Sequence, residues 1–398
     1  MARFEPFRAL RYDLDRVDLP RVVSPPYDVI DDVLRADLAG RDLHNAVRID
    51  LPVDEGGQDR YQVARRLLGE WTTSGVLATD DAPTFTVYRM GYVDDAGRPR
   101  HTTGIIGALE LNQPGTDILP HEHTTPKAKS DRLDMLRSCR ANLSAIWGLS
   151  LAKGLTDLLP LDQAPVADFT DEDGVQHTVW VLDDPATCAA ISSAVAAQPV
   201  VIADGHHRFE TSLAYRAERE AADTTGDAGA AALTMAYVVE LVEDELTVRA
   251  IHRLIAGLPD GFDLVGALSP WFEPLGPPPE GLAVTEAMDD TAALCLVLPE
   301  GETLLRPRSD ALADARDLDS ARLDVALATL PEHQLTFQHG PDHVRAAVAD
   351  GRAQAGVLLR PASIAQIDAT AHGSERMPPK TTFFHPKPKT GLVFRSLD

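Results

Sequence analysis

The chain of 398 residues is long enough for two or three domains with ample apolar cores. Its 37 Lys and Arg against 61 Asp and Glu give a net charge of −24, which disfavours nucleic acid as a partner and means that an anionic ligand needs local positive charge. Three cysteines without a CxxC pair, no signal-like N-terminus and no apolar run of membrane length predict a cytoplasmic protein without a membrane partner. These properties leave oligomerisation open.

The N-terminal part of the chain, residues 1–116, is predicted to be an α/β region that packs on the core. SPPYDVID is expected to form a turn, because its two prolines favour extended backbone. Tyr27 and Asp28 in this turn are interpreted either as a wall of a ligand site or as purely structural residues. Apolar residues at helical spacing then predict a helix at about 58–74, and PTFTVYRMGYV with HTTGIIGALEL predicts a hairpin.

The middle of the chain, residues 117–260, alternates helix and strand signals and is predicted to be the catalytic core. A helix is expected in TTPKAKSDRLDMLRSCRAN, and strands are expected in LSAIWGLSLA, HTVWVLDD and PVVIADG. LTMAYVVELV and LTVRAIHRLI are expected to form a further strand pair. The acidic, proline-containing segment 153–176 is interpreted as a peripheral insertion.

The C-terminal part, residues 261–398, is predicted to be a smaller α/β region that ends in a basic loop. Its last segment, MPPKTTFFHPKPKTGL, cannot be helical because of its prolines, which also hold the lysines at fixed spacing. We interpret Lys380 and Lys387 as parts of a lid or anion-binding loop that reaches the site. The alternative is a C-terminal strap that only packs over the core.

The first chemical motif is QPVVIADGHHRFETSLAYR, where polar residues follow a buried strand. Gly205 permits a sharp turn, and a helix starting near His206 would direct free N–H groups and partial positive charge at a ligand. Arg208 could donate to the same anion through two N–H groups, and Asp204 could hold a metal ion, accept a hydroxyl proton or fix a histidine tautomer. The candidate residues of this motif are Asp204, Gly205, His206, His207, Arg208 and Glu210. The alternative is a helix cap with solvated or packed side chains.

The second motif is LPHEHTTPKAKSDRLDMLR, a basic run in an otherwise acidic chain. Glu122, if it is removed from water, could abstract a proton from a hydroxyl group. The candidate residues for binding substrate or phosphate are His121, Thr124, Lys127 and Arg132. The alternative is a purely structural role, in which the segment is a capped helix whose lysines face solvent. A zinc site is a weak alternative, because the histidines lack the HExxH spacing.

Taken together, these motifs resemble two known groups of proteins. Five segments resemble the bacterial family called domain of unknown function 1015. They are ARFEPFRALRYD, SPPYDVI, HEHTTPKAKSDRL, ADGHHRFET and MPPKTTFFHPKPKTGL. PHE at 120–122 and DGHHR at 204–208 resemble the signature segments of free serine kinases in the ParB and sulfiredoxin superfamily.

The second resemblance implies an α/β (α+β) fold with a ParB/sulfiredoxin-like mixed-sheet core and terminal elaborations. It also implies a nucleotide-phosphate site at DGHHR, with ATP or ADP as phosphoryl donor. Glu122 would be the base, and Mg²⁺ on Asp204 would act with the residues that handle phosphate, namely His206, His207 and Arg208.

The sequence therefore predicts a phosphotransfer enzyme that acts on a small hydroxy amino acid, with serine or O-phosphoserine as the preferred substrate. One alternative is a phosphatase that hydrolyses phosphoserine at the same site. Another is a nucleotide-binding switch of the ParB type with little turnover. The acidic charge and the lack of a helix-turn-helix pattern count against a role in DNA partition.

Overall fold

The computed structural model describes residues 2–94, 97–112, 117–120, 127–373, 377–378 and 380–398. The strands of this part of the chain are β1 (Phe4–Glu5), β2 (Leu10–Tyr12), β3 (Leu77–Thr79), β4 (Phe85–Val93), β5 (Pro99–Glu110), β6 (Ile118–Pro120), β7 (Ala141–Asn142), β8 (Ile146–Ser150), β9 (Ala167–Thr170), β10 (Gln176–Leu182), β11 (Val200–Asp204), β12 (Leu233–Glu240), β13 (Thr247–Arg249), β14 (His252–Ala256), β15 (Phe272–Gly276), β16 (Leu294–Leu298), β17 (Gly301–Pro307), β18 (Gln334–Gln338), β19 (Ala355–Leu358), β20 (Phe383–His385) and β21 (Arg395–Ser396). The helices are α1 (Leu19–Val22), α2 (Asp32–Arg41), α3 (Val47–Asp50), α4 (Arg60–Thr73), α5 (Lys127–Cys139), α6 (Pro185–Ala196), α7 (His206–Ala222), α8 (Leu264–Leu268), α9 (Val284–Thr291), α10 (Asp319–Leu327), α11 (Pro341–Ala349) and α12 (Ile364–His372).

The chain forms two compact units. The first combines Met1–Thr247 with the C-terminal segment Pro386–Asp398, and the second is Val248–His385. The C-terminal segment is therefore part of the first unit, although 138 residues of the second unit precede it in the chain. The division into the regions 1–116, 117–260 and 261–398 stays a prediction, because a partition by compactness does not assign functional regions.

The first unit is built on a mixed sheet, which has nine strands within the described residues. Eight of them lie in the order β6-β11-β8-β12-β5-β4-β10-β9, and β1 pairs with β5. β11 runs parallel to β6 and antiparallel to β8, while β8 and β12 are parallel. Apolar residues of neighbouring strands, such as Val200, Ile202, Ile146 and Val238, fill the core. Val201 and Ala203 on the other face of β11 are also buried, so this strand is covered on both sides.

A second apolar cluster joins the N-terminal helices to the C-terminus. Leu68 and Trp71 of α4 pack with Met135 of α5 and with Phe394. Phe394 is also held by its backbone, whose N–H donates to the Leu10 carbonyl at 2.8 Å. The end of the chain is thus fixed to the first unit by both packing and hydrogen bonds.

The second unit has an antiparallel sheet in the order β15-β17-β16-β19-β14-β18. Alternate residues of β16 face two different apolar clusters, with Leu296 in one and Cys295 in the other. This alternation is what a sheet covered on both faces requires.

The predicted α/β class with a mixed-sheet core is confirmed. The predicted helix at 58–74 is α4, and the predicted hairpin is the antiparallel pair of β4 and β5. The predicted pairing of LTMAYVVELV with LTVRAIHRLI is wrong, because β12 pairs with β5 and β8 whereas β14 pairs with β18 and β19. The segment 153–176 contributes β9, which lies at the edge of the nine-stranded sheet and pairs with β10.

In the described part of the chain, no helix is both long and apolar enough to cross a membrane.

Candidate functional site

The candidate site lies where β11 ends and α7 begins. The register of β11 with β8 shifts between Ile202 and Asp204. Gly205 follows with a φ of 85°, a left-handed conformation that glycine adopts without steric penalty, and α7 starts at His206. The turn places Asp204 at the carboxyl end of the strand, beside the first N–H groups of α7. Such N–H groups have no partner within their own helix and favour anions.

A side chain at residue 205 would meet Arg208 as well as strain the backbone. An ideal Cβ there would lie 3.0 Å from Nε and 3.1 Å from Cζ of Arg208. We expect Gly205→Ala to lower the free energy of unfolding by more than the roughly 1–2 kcal/mol that left-handed backbone alone costs. Urea denaturation measures this loss. The control is Gly226→Ala, because Gly226 has a φ of 72° and open space at its Cβ position. Equal losses in both variants would contradict the steric role of residue 205.

Asp204 lies between two cations. The Nζ of Lys387 contacts its Oδ1, and Nη2 of Arg208 donates to its Oδ2 at 2.9 Å. All three side chains are largely buried, with 19% of Asp204, 13% of Lys387 and 11% of Arg208 exposed. Burial raises the pKa of Asp204, but the charges of Lys387 and Arg208 outweigh it and lower the pKa to about 2. Asp204 is therefore a carboxylate at neutral pH, and its stabilising effect is lost only as the pH falls from about 4 towards 2.

Arg208 has further contacts besides Asp204. Its Nη1 donates to the carbonyl oxygen of Ala145, and its Cζ lies 5.9 Å from the ring centre of Tyr27. Its Nε is buried and has no hydrogen-bond partner among the described residues. Burial lowers the pKa of Arg208, but the negative charges of Asp204 and Asp28 raise it by more than burial lowers it, so the net shift of the pKa is upward. Arg208 thus stays charged and keeps one buried donor unsatisfied, which costs free energy unless a ligand or water accepts from it.

Arg132 also lies near Tyr27, with its Cζ 4.2 Å from the ring centre. Its Nη1 donates to the Asp50 carbonyl oxygen at 2.8 Å, and its Nε and Nη2 both donate to Asp131, at 2.8 and 2.6 Å. Arg132, Asp50 and Arg208 line a cavity of about 40 Å³. This cavity has room for roughly one water molecule. The donors of Arg132 are therefore used by the protein, and its predicted role in ligand binding stays a prediction.

The structure brings several predicted residues together in the first unit. They are Tyr27, Arg132, Asp204, Gly205, Arg208 and Lys387. Asp28 is exposed but near enough to raise the pKa of Arg208, after the larger effects of burial and Asp204. His206, His207 and Glu210 are half-buried in the first turns of α7.

Other predicted residues are not placed in this cluster. Lys380 belongs to the second unit, where its carbonyl oxygen accepts from Arg253 at 3.0 Å. His121, Glu122 and Thr124 lie outside the described residues, as does the side chain of Lys127.

Two carboxylates near these residues carry no sequence signal. Asp50 is buried at the end of α3, and its Oδ1 lies 3.4 Å from Nη1 of Arg132. Burial raises the pKa of Asp50, and the charges of Arg132 and Arg208 offset only part of this shift. Asp171 forms an ion pair of 2.6 Å with Lys389. Both ion pairs join residues far apart in the chain, and neither acid belongs to a recognisable motif.

Comparisons with known proteins show the family of this chain. The family described as Protein of unknown function (DUF1015) matches residues 4–326, so the chain belongs to it. No curated protein matches the chain.

Several solved structures resemble the chain at low identity. A free serine kinase in complex with AMP is 13% identical with a TM-score of 0.38, and the match covers 73% of this chain and 91% of the kinase. A conserved hypothetical protein from Pyrococcus furiosus is 11% identical with a TM-score of 0.39 and coverages of 74% and 95%. SbnI from Staphylococcus aureus, truncated at its C-terminus, is 11% identical with a TM-score of 0.40 and coverages of 72% and 85%. At TM-scores this low, the similarities carry no argument about the chemistry of this chain.

Proposed function

We propose that this member of the DUF1015 family is a phosphotransfer enzyme that acts on a small hydroxy amino acid, with serine and O-phosphoserine as its substrate pair. The observation that supports this most is the grouping of Lys387 and Arg208 around the single carboxylate of Asp204 at the start of α7. This places two cations together in a chain whose net charge is −24, with Asp28 and Asp50 as further acids near Arg208. Local positive charge of this kind favours an anionic ligand.

Phosphate is the anion whose chemistry fits this arrangement best. The N-terminus of α7 offers backbone N–H groups, Arg208 offers a buried Nε–H that has no partner among the described residues, and Lys387 adds a compact positive charge. Lysine is rare in this chain, which has Lys127, Lys129, Lys153, Lys380, Lys387 and Lys389. All but Lys153 lie in the two basic segments that the sequence nominates for anion binding, which adds support.

The proposed metal is Mg²⁺. Asp204 provides a carboxylate that stays ionised at neutral pH, the ligand type that Mg²⁺ prefers, but both of its oxygens contact cations, so Mg²⁺ would have to replace one of these contacts. Among the described residues, no group of three or more His, Cys, Asp or Glu could hold a metal ion. Asp204 therefore fits Mg²⁺ only as an ion shared with the phosphate oxygens of a nucleotide, a common arrangement for this metal. There, Mg²⁺ would neutralise charge on the transferred phosphoryl group.

The protein residues have distinct proposed roles. Glu122, outside the described residues, is the base nominated by the resemblance of the PHE segment to free serine kinases, and it would take the proton of the substrate hydroxyl. Arg208 and Lys387 would hold phosphate oxygens of ATP or ADP. Phosphoryl transfer asks a protein mainly to position its reactants and to stabilise charge, and this site is suited to both tasks.

Phosphorus NMR with purified protein and Mg²⁺ tests the proposal. One sample contains serine and ATP, a second contains serine and ADP, and a third contains O-phosphoserine alone. Formation of O-phosphoserine with either nucleotide supports the proposal. Phosphate release from O-phosphoserine alone would instead indicate a phosphatase, and nucleotide binding without turnover would indicate a switch of the ParB type. Absence of binding to any of these compounds would contradict the proposed site.

A substitution of Lys387 tests the proposed site directly. We expect Lys387→Met to weaken ADP binding by about 1–3 kcal/mol, because a charge-assisted contact in a largely buried site is lost. Calorimetry measures the affinity, and the matched control is Lys153→Met, which changes the net charge equally at an exposed position. Equal affinity in the wild type and Lys387→Met would show that this lysine does not contact the anion.

A further inference from the structure

The C-terminal segment of the first unit carries a second buried ion pair close to the one at Asp204. Lys387 contacts Asp204, and Lys389 forms an ion pair of 2.6 Å with Asp171. Only Pro388 separates the two lysines, so the segment is anchored at two points with a rigid residue between them. Both lysines are largely buried, with 13% and 12% of their side chains exposed.

Lys389 is held by a closed ring of hydrogen bonds. Its backbone N–H donates to Oη of Tyr88 at 3.4 Å, and Tyr88 O–H donates to Nδ1 of His177 at 2.7 Å. His177 Nε2–H then donates to Oδ2 of Asp171 at 2.9 Å, and the Nζ of Lys389 reaches the same oxygen. Lys389 donates at both ends of the ring, Tyr88 and His177 each accept once and donate once, and Asp171 only accepts, so no two donors face each other. The ring therefore fixes both the backbone and the side chain of Lys389.

The direction of the ring requires a neutral His177. This side chain is fully buried, and burial lowers its pKa despite the hydrogen bond to Asp171. Burial raises the pKa of Asp171, but its hydrogen bonds with Lys389 and His177 outweigh this effect and lower the pKa to about 2. At neutral pH the ring thus contains one carboxylate, one ammonium and two neutral groups, so its charges balance.

The two anchor points are connected by a row of aromatic side chains across the sheet. Trp147 of β8 is the register partner of Asp204 in β11. Its ring lies 5.7 Å from that of Tyr237, which lies 5.5 Å from Tyr88, which lies 5.9 Å from His177. Tyr237 fits this row closely, because an added Cβ at Gly104 would come within 2.7 Å of its ring. The packed row fixes His177 relative to β8, and the pairing of β8 with β11 extends this fixed arrangement to the backbone of Asp204.

We propose that Asp171 and His177 are positioning residues: they hold Lys389 and thereby place Lys387 beside Asp204 at the start of α7, where the proposed anion would bind. For its ligand, this inference rests on the phosphotransfer function proposed above, but the placement of Lys387 can be tested without any ligand. A flexible lysine loses side-chain entropy when it is held in place. An anchor two residues away fixes the backbone of Lys387 in advance, so less entropy is lost when an anion binds.

Amine labelling of the free protein tests the placement of Lys387. The chain has six lysines, so mass spectrometry can follow each one. In Asp171→Asn we expect Lys387 to react with an acylating reagent several times faster than in the wild type, while exposed Lys153 reacts at an unchanged rate. The matched control is Asp168→Asn, an exposed acid of β9 that contacts Gln176. Faster labelling of Lys389 with an unchanged rate at Lys387 would overturn the proposal.

A second variant covers the case in which Asp171→Asn fails to fold, which uniform fast labelling and a lost circular dichroism signal would reveal. Lys389→Met removes the other partner of the ion pair and should also raise the labelling rate of Lys387. Asp171→Glu keeps the charge and should restore most of the protection. An unchanged rate at Lys387 in folded Lys389→Met would overturn the proposal.

A double-mutant cycle with ADP separates positioning from a general effect on the fold. We expect Asp171→Asn to weaken ADP binding by about tenfold when Lys387 is present and hardly at all in a Lys387→Met background, because the anchor acts only through this lysine. Equal losses in both backgrounds would assign Asp171 a purely structural role and overturn the proposal. If the wild type does not bind ADP, the proposed function fails while the labelling result still decides the placement of Lys387.

Discussion

Glu122→Gln should lower turnover by about 10²- to 10⁴-fold and leave nucleotide affinity near that of the wild type. Glutamine keeps the shape and most of the hydrogen bonds of glutamate, but it cannot accept the proton that a serine hydroxyl must lose. The measurement is steady-state formation of O-phosphoserine together with calorimetric binding of ADP. A fall in turnover without a change in affinity identifies a group that acts only in the transition state.

Asp204→Asn is the informative comparison for this experiment. It should weaken ADP binding as well as turnover, because asparagine is a poorer ligand for the proposed Mg²⁺ and no longer holds Lys387 and Arg208 in place through ion pairs. The two variants are therefore expected to differ in ADP affinity, which would distinguish Glu122 as the base from Asp204 as a residue that organises the charges of the site. If Glu122→Gln turns over like the wild type and Asp204→Asn is inactive, then Asp204 is the base and the assignment is wrong.

Local features of the candidate site could be predicted from the sequence. The end of β11, the left-handed Gly205 and the start of α7 at His206 all depend on a few adjacent residues. The ion pair of Asp204 with Arg208 joins residues only four apart in the motif, across the turn at Gly205. That these residues bind phosphate stays a prediction.

Contacts between distant parts of the chain could not be predicted from the sequence. Proline and lysine spacing marked the C-terminal segment as a rigid basic loop, but no pattern indicated that Lys387 would pair with Asp204. The partner of Lys389 was harder still to find, because Asp171 lies in an acidic segment, 153–176, that resembles an ordinary peripheral insertion. In a chain with 61 acidic residues, composition alone cannot select the one acid that a given lysine contacts.

Strand partners show the same limit. A nearly continuous apolar run correctly marked LTMAYVVELV as a strand, but such a run indicates only that the strand is buried and does not name its neighbours. β12 lies between β5 and β8, and β14 pairs with β18 and β19, which come much later in the chain. The prediction that consecutive strands pair therefore failed where the chain passes from one compact unit to the next.

Arg208→Met should lower kcat by about 10²- to 10³-fold and also weaken ADP binding, since a preorganised donor acts on both the bound phosphate and the developing charge. Its buried Nε makes this residue a sensitive target, because this donor has no acceptor among the residues that the structure describes. Arg208→Lys keeps the charge but loses the planar fork, so it should recover only a small part of the loss.

The matched control is Arg216→Met, on the same helix. Arg216 also forms an ion pair four residues away, at 2.6 Å to Glu220, and also donates to a backbone carbonyl, that of Leu111. A loss of stability common to arginine removal on α7 would appear in both variants, whereas loss of a phosphate donor would appear in Arg208→Met alone. Similar kcat and ADP affinity in the two variants would contradict a role of Arg208 in phosphoryl transfer, and a large difference between them would place the transferred phosphate at the start of α7.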